Sequence, residues 1–160
     1  MLFRSDRWMT GTQNFAAIAG TGAAIEYLAG IGRTLGATGG RRALLIRAFA
    51  AIEEYERSTG GRLLEALPSV KGVHVYGITD PRRLHERVPT VSFRVAGRTP
   101  GAVARHLAQR SVFAWHGNYY ALPLTEALGV EPHGMVRVGL LHYNTAADVD
   151  RLLGALDEIA

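Results

Sequence analysis

The spacing of apolar residues predicts a helical first part of the chain and a mainly extended second part. Between residues 14 and 31, "NFAAIAGTGAAIEYLAGI", apolar side chains return every three or four positions, as on one face of an α-helix. Gly20 and Gly22 lie within this pattern, and their small size predicts close packing against another element.

A second amphipathic helix is predicted for residues 41 to 57, after the glycine-rich loop "GRTLGATGG". Apolar residues lie a turn apart in this stretch, and charged residues occupy the opposite face. We expect the helix to break or kink near Gly60 and Gly61 and to resume until Pro68, because glycine weakens a helix interior and proline ends it.

The later half changes to the period of β-strands. Alternating or continuous β-branched residues predict four strands, in "GVHVYG", "VPTVSFRVAG", "SVFAWHG" and "MVRVGLLHY". A threonine cap followed by proline opens a helix in "TPGAVARHLAQR", a short helix is expected in "LPLTEALG", and Thr145 and Asp148 have capping-box spacing before a final helix. This order predicts one α+β domain with a mainly antiparallel sheet of three to four strands and helices on one face.

Composition removes several kinds of chemistry. The chain has no cysteine, which excludes disulfides, thiolate metal sites and a cysteine nucleophile. The six histidines are never three or four residues apart and no serine stands in a G-x-S-x-G elbow, so neither a metal site nor a hydrolase nucleophile is predicted. The glycine-rich stretches match neither a dinucleotide fingerprint nor a P-loop.

Charge and hydropathy bear on partners and location. The net charge of +4 would suit an anionic partner, but the 17 arginines are spread along the chain, and their densest cluster, Arg82, Arg83 and Arg87, contains no interleaved aromatic residue, so we expect no nucleic-acid binding. No stretch is expected to approach the roughly 20 apolar residues that a membrane span requires. The sequence therefore predicts a cytoplasmic protein without a membrane partner.

One arginine stands in an otherwise apolar strand, "MVRVGLLHYNT". Period-two alternation puts Arg137 on one face with Gly139, and Val136 and Val138 on the other. A guanidinium cannot lose its charge and is costly to bury without an anion, so one interpretation is a bidentate clamp on a carboxylate beside the space left by Gly139. The alternative is an edge-strand arginine that reaches water or pairs with an internal Glu or Asp.

A second candidate site precedes the first helix in "MTGTQNFAAIAG". Gly11 and Thr12 lie where backbone N–H groups and a hydroxyl can receive a phosphate. Ordinary helix capping by Thr12 or Asn14 explains the same residues. The residues alone leave both interpretations open.

Together, these motifs resemble a family. "GTQNFAAIAGTGAAIEYL", "VHVYG", "VPTVSF", "VFAWHGNYYALPL" and "VRVGLLHYNTAADVDRLL" are similar, in this order, to the C-terminal part of class V aminotransferases, in particular to their cysteine desulfurase-like branch. The resemblance implies the small C-terminal domain of a fold-type-I pyridoxal-phosphate enzyme, with residues 1–35 as a linking segment and helix and residues 36–160 as the small domain.

The resemblance also implies roles for the two candidate sites. Arg137 matches the arginine that holds the α-carboxylate of an amino-acid substrate. Gly11 and Thr12 match the motif that binds the phosphate of pyridoxal phosphate in the partner subunit of a homodimer. In the loop "HGNYYALP", His116, Asn118, Tyr119 and Tyr120 are candidates for lining the substrate pocket, with loop packing as the alternative.

The departures from the family pattern limit the predicted activity. The Schiff-base lysine of the family lies upstream of the phosphate motif, and Lys71, the only lysine here, stands in another context. Tyr120 stands about where cysteine desulfurases carry their nucleophilic cysteine. No catalytic residue is therefore predicted, and no productive cofactor binding by this chain alone.

We accordingly expect a truncated C-terminal domain that is inactive alone and that contributes to a composite site with a large cofactor-binding domain or a homodimer partner. The intact enzyme would be a transferase or lyase acting on an amino acid. The alternative is a stand-alone, non-catalytic interaction module derived from that domain, whose first helix serves for association.

Overall fold

The computed structural model describes residues 11–160 and confirms the predicted order of helices and strands. Within these residues the elements are α1 (Phe15–Thr34), α2 (Arg41–Ala66), β1 (Val73–Tyr76), β2 (Thr90–Val95), α3 (Pro100–Gln109), β3 (Trp115–Gly117), α4 (Leu122–Ala127), β4 (Met135–Gly139) and α5 (Ala146–Asp157). Short 3-10 helices, Leu67–Ser69 and Pro81–Glu86, precede and follow β1.

The four strands form one antiparallel sheet in the order β1-β2-β4-β3. The inner strands β2 and β4 pair over four residues, with Phe93 opposite Val136 and Ser92 opposite Arg137. Because side chains alternate along each strand, this register places the apolar pair on one face and the polar pair on the other. The fold is therefore α+β, with a sheet that separates two unlike surfaces.

One face of the sheet forms the core. Phe93, Val91 and Val136 are fully buried there, together with Leu107 of α3 and Leu156 of α5. The end of α2 adds Leu63 and Leu64 to the same cluster, and the 3-10 helix that follows adds Leu67. The helices thus lie on one face, as predicted, and the other face, which carries Ser92 and Arg137, is not part of this core.

The predicted N-terminal caps of α3 and α5 are confirmed. Thr99 is the N-cap of α3, where its hydroxyl accepts a hydrogen bond from the N–H of Ala102, and Pro100 follows at the first helical position. Thr145 and Asp148 form the capping box of α5, and the Asp148 carboxylate accepts from the N–H of Thr145 at 2.8 Å.

Of the break or kink predicted near Gly60 and Gly61, the break is wrong, because α2 runs without interruption from Arg41 to Ala66. Gly60 and Gly61 serve close packing instead. A Cβ on Gly60 would lie 3.3 Å from Cβ of Pro89, and one on Gly61 would lie 3.2 Å from Cδ1 of Leu84. Contacts that require a missing side chain outweigh the weak helix propensity of the two glycines.

In α1, the prediction that Gly20 and Gly22 pack closely is wrong for the part of the chain that the structure describes. A Cβ on either residue would meet no atom within 4 Å. The close approach occurs further along, at Gly32, where a Cβ would lie only 2.0 Å from the carbonyl oxygen of Leu44 in α2. Gly32 therefore allows the two helix backbones to approach, and an alanine cannot replace it without displacing them.

The chain divides into two compact units, of which the first ends at Ala51 and the second comprises Ile52–Ala160. The division falls within α2, whereas the sequence prediction separated residues 1–35 from 36–160. The sheet, its core and the candidate residues of β3 and β4 all belong to the second unit. Gly11 and Thr12 belong to the first.

The first helix is more apolar than expected. α1 has the length and composition that would allow it to cross a membrane, so the prediction that no stretch approaches such a length is wrong. Buried helices of soluble proteins and signal sequences meet the same criterion, and it does not by itself assign a membrane. The absence of a membrane partner stays a prediction.

Candidate functional site

Arg137 lies near the middle of β4, on the face of the sheet opposite the core. Along β4, Val136 and Val138 are buried, whereas Arg137 and Gly139 are exposed. The predicted alternation is therefore confirmed. Arg137 itself is exposed, so the cost of burying a guanidinium, from which the carboxylate interpretation was argued, does not arise here; the buried core of the sheet lies on the valine face. Its charge is therefore compatible with water and does not by itself demand an anion.

The surroundings of Arg137 also differ from those of an edge-strand arginine. β4 is an inner strand, and Ser92 of β2 and Trp115 of β3 lie directly opposite Arg137 on either side. A Cβ on Gly139 would make only one ordinary contact, 3.6 Å from Oγ1 of Thr90. The surface next to Arg137 on its own strand is therefore open, as the glycine predicted.

Tyr119 holds the guanidinium of Arg137. Cζ of Arg137 lies 4.5 Å from the centroid of the Tyr119 ring, within the range of a cation–π interaction. Within residues 11–160, Arg137 makes no hydrogen bond and no ion pair with a carboxylate. Its N–H donors are therefore free to receive an anion while the aromatic ring restricts the orientation of the guanidinium.

The phenol of Tyr119 is itself fixed. Its hydroxyl donates a hydrogen bond to the carbonyl oxygen of Met135, at the start of β4. Burial raises the pKa of Tyr119 well above its usual value, and the positive charge of Arg137 offsets part of this rise. The phenol is consequently neutral at physiological pH and remains a hydrogen-bond donor.

The loop that carries Tyr119 is tightly constrained. Tyr119 and Tyr120 both have left-handed backbone conformations, with φ of 56° and 61°, which are costly for residues other than glycine. Gly134, also at positive φ, allows the loop to pass close to the start of β4, since a Cβ there would lie 2.1 Å from the carbonyl oxygen of Gly117. The left-handed backbone of the two tyrosines and the close approach of Gly134 to Gly117 together place the Tyr119 ring beneath Arg137.

The other predicted pocket residues are not brought to Arg137 in the same way. His116 pairs with Val136 and so lies on the opposite face of β3 from Trp115, where its Cε1 is 3.4 Å from the position that a Cβ on Gly101 would occupy. Asn118 accepts a hydrogen bond from the N–H of Tyr120 at 3.2 Å. The Tyr120 side chain is 99% exposed. Their roles in substrate binding stay predictions.

Gly11 and Thr12 are exposed and precede α1. The N-cap is Asn14, whose side-chain oxygen accepts a hydrogen bond from the N–H of Ala17 at 2.9 Å. Of the two capping residues that the sequence allowed, Thr12 is therefore not the one used. A Cβ on Gly11 would meet no atom within 4 Å, so the segment is accessible to a ligand.

Sequence reasoning named Tyr119 as a pocket candidate but missed two other residues that flank Arg137, Ser92 and Trp115. Ser92 and Trp115 are placed beside it by strand order, which the sequence does not determine, and Tyr119 by an unusual loop conformation. Two consecutive tyrosines after glycine and asparagine give no signal of left-handed backbone. Among residues 11–160, no group of three or more His, Asp or Glu side chains is arranged to hold a metal ion.

Comparisons with known proteins place these features in a family. The family model for class V aminotransferases matches residues 4–152. Aminotransferase-like protein FGM3 of Gibberella zeae is 38% identical over 112 residues, which are 68% of this chain and 27% of FGM3. A cysteine desulfurase of Yersinia pestis is 30% identical over 153 residues, which are 96% of this chain and 32% of that protein.

Solved structures agree with this assignment. The cysteine desulfurase of Thermococcus onnurineus NA1 has a TM-score of 0.65 and 32% identity, over 74% of this chain and 28% of that one. The cysteine desulfurase CsdA of Escherichia coli has a TM-score of 0.58 over 76% of this chain and 31% of that one; at 24% identity it supports the fold alone. The chain spans about a third of the length of these relatives. The family model matches most of the chain, and the solved structures share its fold. The chain therefore belongs to the class V aminotransferase family.

Proposed function

We propose that this chain provides the substrate-carboxylate site of a class V aminotransferase-like, pyridoxal-phosphate-dependent enzyme and works with a large cofactor-binding domain. The observation that carries the proposal is Arg137. It lies on the open face of the sheet, has no carboxylate partner among the described residues, and is held over the ring of Tyr119. The Yersinia and Thermococcus relatives named cysteine desulfurases are consistent with an amino acid as substrate.

In this proposal Arg137 receives the α-carboxylate through two parallel N–H···O bonds. A guanidinium presents its donors in a planar fork that matches a carboxylate, with bonds of about 2.7–2.9 Å. The Tyr119 ring beneath it limits rotation of that fork, which lowers the entropy lost on binding. Gly139 leaves room for the substrate on the same strand.

Gly11 and Thr12 would contribute to the cofactor phosphate site. They are exposed, Thr12 is not used as the cap, and Asn14 caps α1 two residues after Thr12, so donors before a helix N-terminus are available to an anion. Pyridoxal phosphate, when bound, supplies an electron sink for reactions at the α-carbon of an amino acid. The residues of this chain would hold the phosphate and orient the substrate.

The chain alone is proposed to be catalytically incompetent. Its only lysine, Lys71, is exposed in the turn before β1, and it lacks the sequence context of a Schiff-base lysine. No cysteine is present, so no persulfide can form on a residue of this chain. The likeness to cysteine desulfurases would then reflect descent and the shared fold.

The proposed partner is a large cofactor-binding domain, in a homodimeric, cytoplasmic assembly. α1 offers an apolar surface to such a partner: only Ala29 and Gly32 are buried, while Phe15 is 69% exposed and Ile18 and Tyr27 are exposed as well. This surface also supports the second candidate function, a stand-alone interaction module. Light scattering and thermal unfolding separate the two, because a stable monomer with cooperative unfolding favours the module and aggregation favours the dependent domain.

Carboxylate binding is tested by NMR titration of the 15N-labelled chain with L-alanine and, as a matched control, L-alanine methyl ester. We expect saturable shifts of the amides of Ser92, Arg137 and Gly139 with alanine and none with the ester, which lacks the carboxylate charge. Arg137→Gln should abolish the shifts, and Arg57→Gln, an exposed arginine of α2, should leave them intact. Equal shifts with both ligands, or with the Arg137→Gln variant, would contradict the proposal.

Incompetence of the isolated chain is tested with the cofactor itself. Purified chain is mixed with pyridoxal phosphate, reduced with borohydride and examined by mass spectrometry, with Lys71→Arg as control. We expect no stoichiometric adduct at a single lysine. A stoichiometric, reducible adduct at Lys71 that disappears in Lys71→Arg would show that the chain anchors the cofactor by itself.

A further inference from the structure

A second cationic site lies on the same open face, over β1 and β2. Here a groove of about 450 Å³ is formed by β1, by the end of β2 and by the loop that leads to α3. Its lining includes His74, Arg94 and Arg98 and contains no aspartate or glutamate. Arg137 does not line this groove, so it is separate from the proposed carboxylate site.

Arg94 is the unusual member of this group. Among the arginines that the structure describes, only Arg87 and Arg94 are half-buried. The guanidinium of Arg87 donates to the carbonyl oxygens of Val88, Ile78 and Thr90. Arg94 makes no hydrogen bond or ion pair within residues 11–160.

The donors of Arg94 therefore point to solvent in the groove. No buried side-chain nitrogen or oxygen in the described residues lacks a partner, so the unbonded nitrogens of Arg94 are accessible. A half-buried guanidinium with five donors is stabilised most by an anion that accepts several of them at once. Arg87, of similar exposure, has its guanidinium hydrogen-bonded to backbone carbonyl oxygens. The guanidinium of Arg94 has no such partners among the described residues.

The neighbours of Arg94 add donors and an aromatic wall. His74 lies directly opposite Arg94 on β1, and its ring forms a T-shaped pair with the Tyr76 ring at a centroid distance of 4.7 Å. Arg98 uses its Nε to donate to the carbonyl oxygen of Ile159 at 3.3 Å, which fixes the side chain and leaves its terminal nitrogens unbonded. Two guanidinium groups and an imidazole thus line one groove without a counter-charge.

We infer that this groove binds the phosphate group of a small phosphorylated molecule, held by Arg94 and Arg98 with His74 and Tyr76 flanking the remainder of the ligand. Two guanidinium groups match the charge of a phosphate monoester dianion, and its three terminal oxygens can accept from several donors. A single carboxylate would leave part of this donor set unused. The inference does not depend on Arg137 or on the proposed enzymatic role.

The test is an NMR titration of the 15N-labelled chain with sodium phosphate, with ionic strength kept constant by sodium chloride. We expect saturable shifts centred on the amides of Gly72, Gly97 and Thr99, which border the groove, with a dissociation constant on the order of 1 mM. Phenyl phosphate should bind at least as tightly, and phenol, which lacks the phosphate, should not bind there. Binding of phenyl phosphate distinguishes a site for phosphate esters from a site for the free phosphate ion. A site for the free ion would exclude phenyl phosphate.

Variants assign the effect to the groove. Arg94→Gln should weaken phosphate binding at least tenfold, Arg94→Lys should weaken it less, and both Arg57→Gln and Arg137→Gln should leave it unchanged. Amide spectra of the variants check that each is folded, and Arg98→Gln provides a second groove variant if Arg94→Gln is not. Shifts that do not saturate, that occur equally with chloride, or that persist unchanged in both groove variants would overturn the inference. Loss of alanine binding in Arg137→Gln with phosphate binding retained would show the two sites to be independent.

Discussion

The two faces of the sheet have the same backbone and opposite chemistry. On the covered face, Phe93 and Val136 are fully buried beneath α3 and α5. On the open face, one residue away along each strand, Ser92 and Arg137 are opposite each other, and neither belongs to the buried core cluster. Because alternation separates them so cleanly, stability and ligand binding should respond to different substitutions in the same strands.

The largest expected difference comes from removing the core side chain. Phe93→Ala should lower the free energy of unfolding by about 3–5 kcal/mol, because it deletes a fully buried ring and leaves a cavity. Arg137→Ala should change it by less than about 0.5 kcal/mol, as expected for an exposed residue. Urea denaturation of both variants checks this contrast, and comparable losses would mean that the open face is also part of the folded core.

The loop that positions Tyr119 gives the next prediction. Gly134→Ala should destabilise the chain by about 2 kcal/mol, because it combines a left-handed backbone position with a Cβ at 2.1 Å from the carbonyl oxygen of Gly117. Gly139→Ala is the matched control, since its Cβ makes only an ordinary 3.6 Å contact. Thermal unfolding should show a clear decrease for the first variant and almost none for the second.

Tyr119→Phe tests the support beneath Arg137. Loss of the hydrogen bond to Met135 should lower the free energy of unfolding by about 1 kcal/mol while the aromatic ring remains. A guanidinium still held over a ring should retain most of its carboxylate affinity. Tyr119→Leu, which removes the ring as well, should weaken alanine binding more than Tyr119→Phe does. Equal affinities for the two variants would show that the ring does not orient Arg137.

The raised pKa of Tyr119 also predicts a pH dependence. Since the folded-state pKa lies above the unfolded-state value, its contribution to stability is complete below about pH 10 and is lost as pH rises through the folded-state pKa. The wild-type chain should therefore become less stable at strongly alkaline pH by a larger margin than Tyr119→Phe. Denaturation midpoints at pH 8 and at alkaline pH, compared between the two proteins, measure this difference.

The smallest effect is expected at the α5 capping box. Two hydrogen bonds from Thr145 lower the pKa of the Asp148 carboxyl. The one from the backbone N–H has the larger effect, and the one from the Thr145 hydroxyl has the next largest. Stability from this group is thus present above the ordinary carboxyl pKa and is lost as pH falls through the lowered value. Asp148→Asn should reduce the melting temperature slightly at neutral pH and make it less dependent on acid pH. An unchanged acid profile would show that the cap contributes nothing to the pH dependence.

The sequence predicted what local patterns determine. The alternation around Arg137 and the caps at Thr99 and Thr145 depend on neighbouring residues, and the structure confirms them. The continuity of α2 through Gly60 and Gly61 depends on contacts with Pro89 and Leu84, which are distant in sequence. Local propensity therefore predicted a break where tertiary packing maintains a helix.

The candidate site shows the same limit. Alternation identified the face of Arg137 but not its exposure, because exposure depends on which face the helices cover. The contact with Tyr119 arises from a loop with two left-handed tyrosines, which no sequence pattern indicates. His116 was grouped with Asn118 and Tyr120 by proximity in sequence, but the strand directs its side chain to the other face from Trp115.

A crystal structure of the chain with L-alanine tests the central claim most directly. The account predicts the ligand carboxylate on the open face of the sheet, with two oxygens about 2.7–2.9 Å from the guanidinium nitrogens of Arg137 and with the guanidinium still over Tyr119. A carboxylate bound elsewhere, or Arg137 paired with an aspartate or glutamate of its own chain at saturating alanine, would contradict the claim that this arginine is kept free for the substrate.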